Sequence, residues 1–312
     1  MIEGIKKILN EVAADHLSGS AALQRKLEEG LLHVLAGAED LSVAELKELS
    51  FLLEKLEKEL KQFAVLGHFL RYLLNMMPFA AEGSARILRK IIADYRETWK
   101  DVNERIFSNF LSHFPVTDDI SDLEDRYYYL GPGYSVFLHS QSASVQEFFR
   151  LLRGKMNIED LQIYQTESHP LLEGRQQALL LRDMGYRVTL LNEAAASLVI
   201  GYCDVVFLGA DTVYPASFLN KIGSYPISLL AREVEASVMV LADSRKFLVS
   251  SEERNDRIVE GPSGEIWSGA PEGIEVKNYY FETVPAELVT AFITEKDVIP
   301  GDKLEYFSFL RN

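Results

Sequence analysis

The chain has 312 residues, of which 47% are hydrophobic and 25% are charged, and its formal net charge is −15 at pH 7. This length predicts two domains, and the composition is that of a globular protein rather than a disordered one. The acidic balance argues against direct nucleic-acid binding, because that function needs clustered Lys and Arg to displace counterions from the phosphate backbone. A locally positive pocket for a single phosphate group remains compatible with this charge.

The number of cysteines and the hydropathy of the chain predict its cellular location. Cys203 is the only cysteine, which excludes an intrachain disulfide framework and favours a reducing interior. The first residues, Met1–Lys7, are typical of an amphipathic helix and not of a signal peptide. No apolar run reaches the ~20 residues that span a bilayer. We therefore expect a cytoplasmic protein with no membrane partner.

The apolar residues up to about Phe114 recur with helical spacing, which predicts an N-terminal helical domain. Ser42 and Glu45 match a capping box, in which each side chain satisfies an amide of the first helical turn. The leucines from Leu46 to Leu60 then alternate in steps of three and four residues. This spacing is compatible with a coiled coil, but it spans too few heptads, and packing in a helical bundle is favoured. Further helices are predicted at Ala64–Met77 and Ser84–Phe114.

The pattern changes after Pro115–Pro132, a segment that is typical of a connecting loop, and the domains are predicted to be residues 1–133 and 134–312. Short β-branched and aromatic runs predict strands at Tyr134–His139, Leu161–Gln165, Arg187–Leu191, Asp204–Leu208, Ser237–Leu241 and Asn278–Phe281. Helices are predicted between them at Ser144–Arg153, Glu173–Met184, Glu193–Gly201, Ile227–Glu235 and Ala286–Thr294. Apolar runs that alternate with helices imply right-handed crossovers and a parallel sheet. The predicted fold class is α/β, with a Rossmann-like parallel-sheet domain after the helical domain.

The residues that follow the predicted strands are the candidates for a site, because ligands of parallel sheets bind outside the carboxyl ends of the strands. The candidate side chains are His139, Ser140, Gln141, Ser142, Glu167, His169, Arg175, Asp211, Asn220 and Lys221. The strand at 237–241 adds Asp243, Ser244 and Lys246. Hydroxyl, amide, carboxylate and cationic groups together suit a polyhydroxylated phosphate ester, and helix N-termini add backbone amides for the phosphate.

Each candidate also has a plain structural interpretation. Arg175 on a helix is more often a solvated residue, Asp211 is as often a helix cap as a catalytic acid, and His139 has even odds of being a structural histidine. No Gly-x-Gly-x-x-Gly or Walker pattern is present, and no residues have zinc-ligand spacing. The sequence therefore predicts no cofactor and no metal. Cys203 precedes a strand at its amino end, so we expect it far from the site.

Four stretches of the second half carry a family resemblance: Thr166–Arg175, Gly209–Asp211, Asn220–Gly223 and Pro285–Thr290. In this order they resemble the superfamily that joins the regulatory subunits (alpha, beta and delta) of translation initiation factor 2B with ribose-1,5-bisphosphate isomerase and methylthioribose-1-phosphate isomerase. The resemblance covers about Tyr134 to the C-terminus. It implies a homodimer formed through the α/β domain, with related subunits as further possible partners.

The resemblance also implies roles for particular residues. In the isomerases of this family, a cysteine after the first strand and the aspartate of Gly-Ala-Asp are the acid–base pair that converts an aldose phosphate to a ketose. Asp211 would be the carboxylate, and Asn220 and Lys221 would bind sugar hydroxyls or phosphate. Ser140 stands at the cysteine position. A thiol titrates near ~8.5, whereas a serine hydroxyl is a far poorer acid and needs an adjacent base.

The sequence departs from the family pattern at two further positions. His169 stands where the family commonly has a phosphate-binding arginine. A neutral histidine would weaken that contact and make it pH-dependent. Glu193 occupies the position of an aspartate that usually follows the third strand.

Two functions follow as hypotheses. The first is a non-catalytic protein that binds a sugar phosphate or a nucleoside monophosphate, as a sensor or an assembly module, because Ser140 replaces the catalytic cysteine. The second is an aldose–ketose isomerase for a phosphorylated pentose, with Asp211 retained and Ser140 or His139 adapted. A structural dimer with a vestigial pocket is a variant of the first. The stretch Ser250–Glu275 is a candidate lid, with a surface connector as the alternative.

Overall fold

The computed structural model describes residues 1–15, 18–37, 40–77, 82–114, 130, 133–156, 160–248 and 260–306. The chain divides into two compact units, Met1–Asp101 and Val102–Asn312. The predicted loop Pro115–Pro132 lies outside the described residues except for Leu130. In the described part of the chain, none of the helices has the length and apolar character needed to cross a membrane.

The first unit is helical, as predicted. Its helices are α1 (Ile2–Ala13), α2 (Ser20–Leu35), α3 (Val43–Glu59), α4 (Ala64–Met76) and α5 (Ser84–Trp99). The capping box of α3 is confirmed, since the Ser42 hydroxyl accepts from the Glu45 amide and the Glu45 carboxylate accepts from the Ser42 amide. Four leucines of α3 are buried and the helix packs against α1 and α4, which is the arrangement of a bundle.

The predicted helix Ser84–Phe114 is wrong, because two helices occupy this range. Helix α5 ends at Trp99, and α6 (Val102–His113) begins after a turn at Lys100 and Asp101. An aspartate directly before a helix favours a new start at that point, because its carboxylate can accept the first amides.

The second unit combines α6 with two sheets and further helices. Its other α-helices are α7 (Ala143–Met156), α8 (Glu173–Asp183), α9 (Ala196–Val199) and α10 (Ser224–Glu233). Its strands are β1 (Ser135–Leu138), β2 (Gln162–Thr166), β3 (Arg187–Leu191), β4 (Val205–Leu208), β5 (Thr212–Tyr214), β6 (Ser217–Lys221), β7 (Ser237–Leu241), β8 (Phe281–Pro285), β9 (Ala291–Ile293) and β10 (Val298–Pro300).

The larger sheet has the strand order β10-β9-β7-β4-β1-β2-β3. All of its pairs are parallel except β9 with β10. Strands β5, β6 and β8 form a separate antiparallel sheet. The α/β fold class, with a helical first part and a mostly parallel central sheet, is therefore confirmed.

Both faces of the central strands of the larger sheet are buried, and the alternation of side chains along β1 shows this directly. Val136 and Leu138 of β1 belong to one apolar cluster, which also contains the aromatic side chains of α6 and α7. Phe137, between them, belongs to a second cluster with residues of β4, β7 and α10. Opposite faces of one strand enter different cores because successive side chains point to opposite sides of a sheet.

Three predicted elements of this unit need correction. The predicted strand Asn278–Phe281 is displaced to β8 and lies in the antiparallel sheet instead of the parallel one. The predicted helix Ala286–Thr294 is wrong: a 3-10 turn at Ala286–Leu288 precedes β9, a strand whose three residues are all buried beside β7. The predicted helix Glu193–Gly201 is broken into two 3-10 turns around the short α9. Burial in a sheet overrides local helical propensity in the second case.

Candidate functional site

The carboxyl edge of the parallel sheet gathers most of the predicted site residues. We call this group the strand-end site: it comprises the residues that directly follow β1, β2, β3, β4 and β7, the first residues of α8, and Asn220 and Lys221 of β6. All of these belong to the second unit. The ends of β1 and β4 adjoin closely, since a Cβ built on Gly209 would meet Ser142 Oγ at 2.5 Å.

The start of helix α8 lies in close contact with the end of β2 because its second residue, Gly174, has no side chain. A Cβ at Gly174 would lie 1.9 Å from the carbonyl oxygen of Thr166, so no side chain fits there. This close approach carries Glu173, the first residue of α8, to the end of β1. The Ser140 hydroxyl donates to Glu173 Oε1 over 3.0 Å.

Lys221 reaches the same carboxylate from the antiparallel sheet. Its ammonium lies 2.9 Å from Glu173 Oε1, and its side chain is only 4% exposed. The ammonium also stands over the ring of Tyr280, 5.6 Å from the centroid. Ser140, Glu173 and Lys221 therefore form one buried polar cluster, which we call the Glu173 cluster.

His139 is buried beneath this cluster, and both of its ring nitrogens have partners. Nε2 donates to the carbonyl oxygen of Ile222 over 2.9 Å, which leaves Nδ1 to accept from the Thr166 hydroxyl at 2.6 Å. Burial lowers the pKa of His139 to about 4, so the ring is neutral at pH 7. This arrangement agrees with the structural interpretation of His139.

Ser140 and Ser168 both adopt left-handed backbone conformations, with φ of 64° and 69°. Such conformations are uncommon in residues other than glycine and cost free energy, and they concentrate at functional sites. The two residues are joined, because the amide of Ser140 donates to Ser168 Oγ over 2.9 Å. The strained turns after β1 and β2 thus hold each other in place.

The predicted ligand-binding side chains after β2, His169 and Arg175, each contact a carboxylate. Glu193, in the turn after β3, accepts from the amide of Ser168 and bonds His169 Nδ1 at 3.0 Å. Burial alone would raise the pKa of Glu193, but these hydrogen bonds outweigh burial and hold the pKa below its usual value. Arg175 forms two hydrogen bonds to Glu167 Oε2. His169 and Arg175 are exposed.

A second polar group lies at the ends of β4 and β7. Asp243 is buried and bonds the guanidinium of Arg245 at 2.8 and 3.1 Å, and Arg245 holds the pKa of Asp243 low against the opposing effect of burial. Lys246 is also buried, and burial lowers its pKa, although the charges of Asp243 and Asp211 oppose this. Asp211, half-buried before β5, therefore faces this side of the site.

The start of helix α10 borders the Glu173 cluster through the strand β6. Asn220 Nδ2 donates to Ser224 Oγ over 2.8 Å. Gly223 has a φ of 104°, and a Cβ there would meet the His139 ring at 2.8 Å. Glu282 accepts from the amides of Gly223 and Tyr225 at 2.6 and 2.8 Å, so the protein's own carboxylate binds this helix N-terminus.

The residues before helix α7 differ among themselves. Gln141 is exposed, whereas Ser142 is half-buried and its amide donates to Gln177 Oε1. The amides of Ala143 and Ser144, at the start of the helix, have no acceptor among the described residues. Helix N-terminal amides of this kind can bind an anion.

The structure adds residues that sequence reasoning did not assign to the site: Thr166, Ser168, Glu173, Tyr280 and Glu282. Glu173 and Thr166 stand within the family motif, but no spacing rule pairs Glu173 with Ser140, 33 positions away. Of the predicted lid, residues 250–259 lie outside the described part. The described part is tied to the site, because the Tyr280 hydroxyl donates to Glu265 Oε2 over 2.6 Å.

Cys203 lies directly before β4, at the opposite edge of the sheet from the site. It is buried, and burial raises its pKa to about 12. The residues that the structure describes hold no group of three or more His, Cys, Asp or Glu side chains that could bind a metal ion.

The profile of the initiation factor 2 subunit family matches residues 16–301 of the chain. A ribose 1,5-bisphosphate isomerase of Archaeoglobus fulgidus is 32% identical over 184 residues, which are 54% of this chain and 55% of that protein. A methylthioribose-1-phosphate isomerase of Rhodopirellula baltica is 36% identical over 152 residues, 45% of this chain and 43% of that protein. The matched part thus spans about half the length of these relatives.

Solved structures share the fold at lower identity. A translation initiation factor eIF-2B of Pyrococcus horikoshii OT3 has a TM-score of 0.75 at 20% identity, covering 95% of this chain and 96% of that one. A 5-methylthioribose 1-phosphate isomerase of the same organism has a TM-score of 0.74 at 18% identity, covering 98% and 87%. At these identities the likeness concerns the fold alone.

Proposed function

The chain belongs to the initiation factor 2 subunit family, and on this premise we propose that its strand-end site binds a sugar phosphate or a nucleoside monophosphate without the usual cysteine and aspartate isomerase pair. The observation that supports this most is the Glu173 cluster, which brings a hydroxyl, a carboxylate and an ammonium from three separate elements to one buried place. Polar groups that are costly to bury persist where they serve a ligand or a specific structure.

Different groups of the site suit the sugar and the phosphate of such a ligand. Asp211, Asn220 and the Glu173 cluster offer carboxylate, amide and hydroxyl groups to the sugar. The amides at the start of α7 and the ammonium of Lys246 are the groups offered to the phosphate. Gln141, Glu167, His169 and Arg175 line the more exposed rim.

A ligand screen tests this function. Ribose 1,5-bisphosphate, methylthioribose 1-phosphate, ribose 5-phosphate and nucleoside monophosphates are each titrated while the melting temperature and product formation are recorded. A ligand at a hundredfold excess over its dissociation constant adds ~2.7 kcal/mol to the free energy of unfolding. We expect saturable stabilisation by at least one of them and no ketose. Formation of a ketose would overturn the non-catalytic form of the proposal.

Aldose–ketose isomerisation of a phosphorylated pentose is a second candidate function. It is favoured by the names of the relatives, by the retained Asp211, and by the carboxylate that stands beside the Ser140 hydroxyl. Under this function Asp211→Asn abolishes turnover with a modest loss of binding. An Asp211→Asn variant with full turnover would exclude the assigned mechanism.

Assembly and location belong to the same proposal. The fold relatives include a tetrameric eIF2B-beta2-delta2 complex of C. thermophilum, at a TM-score of 0.63 and 16% identity. Family membership supports a homodimer through the α/β unit and related subunits as further partners. It also supports a cytoplasmic location. Sedimentation equilibrium of the purified chain decides between one copy and two.

A further inference from the structure

Glu173 is the central residue of the Glu173 cluster, and its two carboxylate oxygens differ. Oε1 binds both the Ser140 hydroxyl, at 3.0 Å, and the Lys221 ammonium, at 2.9 Å. Oε2 is buried and has no hydrogen-bond partner in the described part of the protein. The side chain of Glu173 is 11% exposed and that of Lys221 is 4% exposed. The carboxylate and the ammonium are therefore an ion pair largely removed from water.

The ion pair neutralises Lys221 before any ligand arrives. Attraction between unit charges is much stronger in a protein interior than in water, and removal of one partner of a buried pair leaves an uncompensated charge. Tyr280 covers another side of the ammonium, and its hydroxyl is in turn held by Glu265. An anionic ligand at Lys221 would have to share this cation with Glu173 and would meet the negative charge of the carboxylate.

The hydrogen bonds around Ser140 also disfavour an anion, because the donors there already bind other groups of the protein. Because the Ser140 hydroxyl donates to Glu173, its oxygen can offer only acceptor lone pairs to a ligand. The amides of Ser140 and Ser142 already donate to Ser168 Oγ and Gln177 Oε1. A sugar hydroxyl can donate to the acceptors that remain, whereas the dianion of a phosphate monoester carries acceptors alone and finds no donor among these three groups.

We propose that Glu173 is a specificity-determining residue: it reserves the Lys221 end of the strand-end site for sugar hydroxyl groups and keeps phosphate away from it. The inference deepens the proposed function, from which it takes the class of ligand. Its test needs no sugar, because the difference in affinity for inorganic phosphate between variants with and without the Lys221 cation reports whether that cation is available.

The experiment compares wild type with Glu173→Gln, using inorganic phosphate as the titrant in calorimetry and in thermal unfolding. The amide keeps the shape of the side chain and an acceptor for Ser140 but removes the charge. We expect Glu173→Gln to melt at a lower temperature than wild type without phosphate, because Lys221 loses its counter-charge. We also expect it to bind phosphate at least about tenfold more tightly, as a newly formed charged hydrogen bond allows.

The double variant Glu173→Gln/Lys221→Met shows where the phosphate binds. It lacks the cation as well as the carboxylate, so the gain in phosphate affinity should disappear. Glu104→Gln is the matched control: this exposed carboxylate on α6 pairs with Lys155, and its loss should leave phosphate binding at the wild-type level. If Glu173→Gln does not fold, Glu173→Asp serves instead, since the shorter carboxylate cannot keep both contacts and should give a smaller gain of the same sign.

Equal phosphate affinity in wild type and the Glu173 variants would overturn the inference. So would a gain that persists in the double variant, because the phosphate would then bind away from Lys221. These outcomes are separate from the proposed function. Failure of every sugar phosphate and nucleotide to bind wild type removes the proposed ligand, while the comparison with inorganic phosphate still decides whether Glu173 blocks Lys221.

Discussion

His139 is 2% exposed, and each of its ring nitrogens is held by a neighbour in the second unit. Burial lowers the pKa of His139 from 6.5 to about 4, and the Lys221 charge acts in the same direction while the Glu193 charge opposes it. A protonated ring would also lose the acceptor that Nδ1 presents to Thr166. Protonation of His139 at low pH should therefore destabilise the folded protein at the strand-end site.

The resulting pH dependence has a definite sign. Between pH 6.5 and 4 the unfolded chain binds a proton at this position and the folded chain does not, so the free energy of unfolding decreases as the pH falls. The contribution of His139 reaches up to about 3 kcal/mol. In His139→Gln, this part of the pH dependence should be absent, as measured by urea unfolding at a series of pH values.

The exposed His113 of helix α6 provides the control. His113→Gln should keep the wild-type slope of stability against pH, because this exposed substitution leaves the buried ring of His139 and its partners in place. If His139→Gln and wild type lose stability in parallel below pH 6.5, another group is responsible for the acid sensitivity.

The limits of sequence reasoning are also visible at single residues. Lys221, His169 and Arg175 were predicted as ligand-binding side chains at the strand ends, but their carboxylate partners were not foreseen. Glu173 and Glu193 come from the starts of α8 and of the turn after β3, and only tertiary contact brings them to Lys221 and His169. Residue type reveals a possible ligand group, whereas its intramolecular partner depends on packing between distant segments.

At the scale of elements, helix α10 shows how the chain itself uses an anion-binding position. Glu282 of β8 accepts from two amides at the N-terminus of α10. Burial nevertheless raises the pKa of Glu282, because the hydrogen bonds only partly offset the loss of water. The ionised Glu282 is thus less favourable in the folded protein than in the unfolded chain. The resulting loss of stability begins as the pH rises through the ordinary pKa of a glutamate and is complete above the raised pKa of the folded protein.

Two substitutions separate the charge of Glu282 from its hydrogen bonds. Glu282→Gln keeps an acceptor for both amides and removes the desolvated charge, so its stability at pH 7 should equal or exceed that of wild type. Glu282→Ala leaves the amides without this acceptor and should lose about 1–2 kcal/mol. Chemical denaturation of both variants provides the comparison. A Gln variant as unstable as the Ala variant would show that the charge itself stabilises α10.

Element prediction succeeded where the pattern was strong. Strands β1 to β4 and β7 were anticipated from apolar, β-branched runs, and β3 and β7 match to the residue. Strands β5, β9 and β10 have three residues each, too few to show a period. The antiparallel sheet was missed although β6 and β8 have five residues each, because it pairs segments that are far apart in sequence. With it was missed the reason that Asn220 and Lys221 reach the site: they lie on its central strand, β6.

At the scale of the whole molecule, the division of the chain can be tested with fragments. The chain divides into its two compact units between residues 101 and 102. The domain boundary predicted from sequence, between 133 and 134, remains a prediction. Helix α6 distinguishes the two, because its Phe107 and Phe110 pack on Phe148 of α7 with ring centroids 5.4 and 4.8 Å apart.

We expect a fragment of residues 102–312 to unfold cooperatively and a fragment of residues 134–312 to be much less stable. Deletion of even one buried phenylalanine side chain costs ~3–5 kcal/mol, and the shorter fragment loses several apolar side chains of α6. Thermal unfolding followed by near-ultraviolet circular dichroism measures both. Equal melting temperatures would favour the boundary between 133 and 134.

Cys203 has a practical consequence for chemical labelling. With a pKa near 12, its thiol is almost never ionised at pH 7, and it is buried as well. Alkylating reagents should therefore leave the natural protein unmodified. A thiol introduced by Ser140→Cys, at the position of the family's cysteine, would be nearly as buried as Cys203 and would lie beside the Glu173 carboxylate, so its alkylation rate would report how far a small reagent enters the strand-end site.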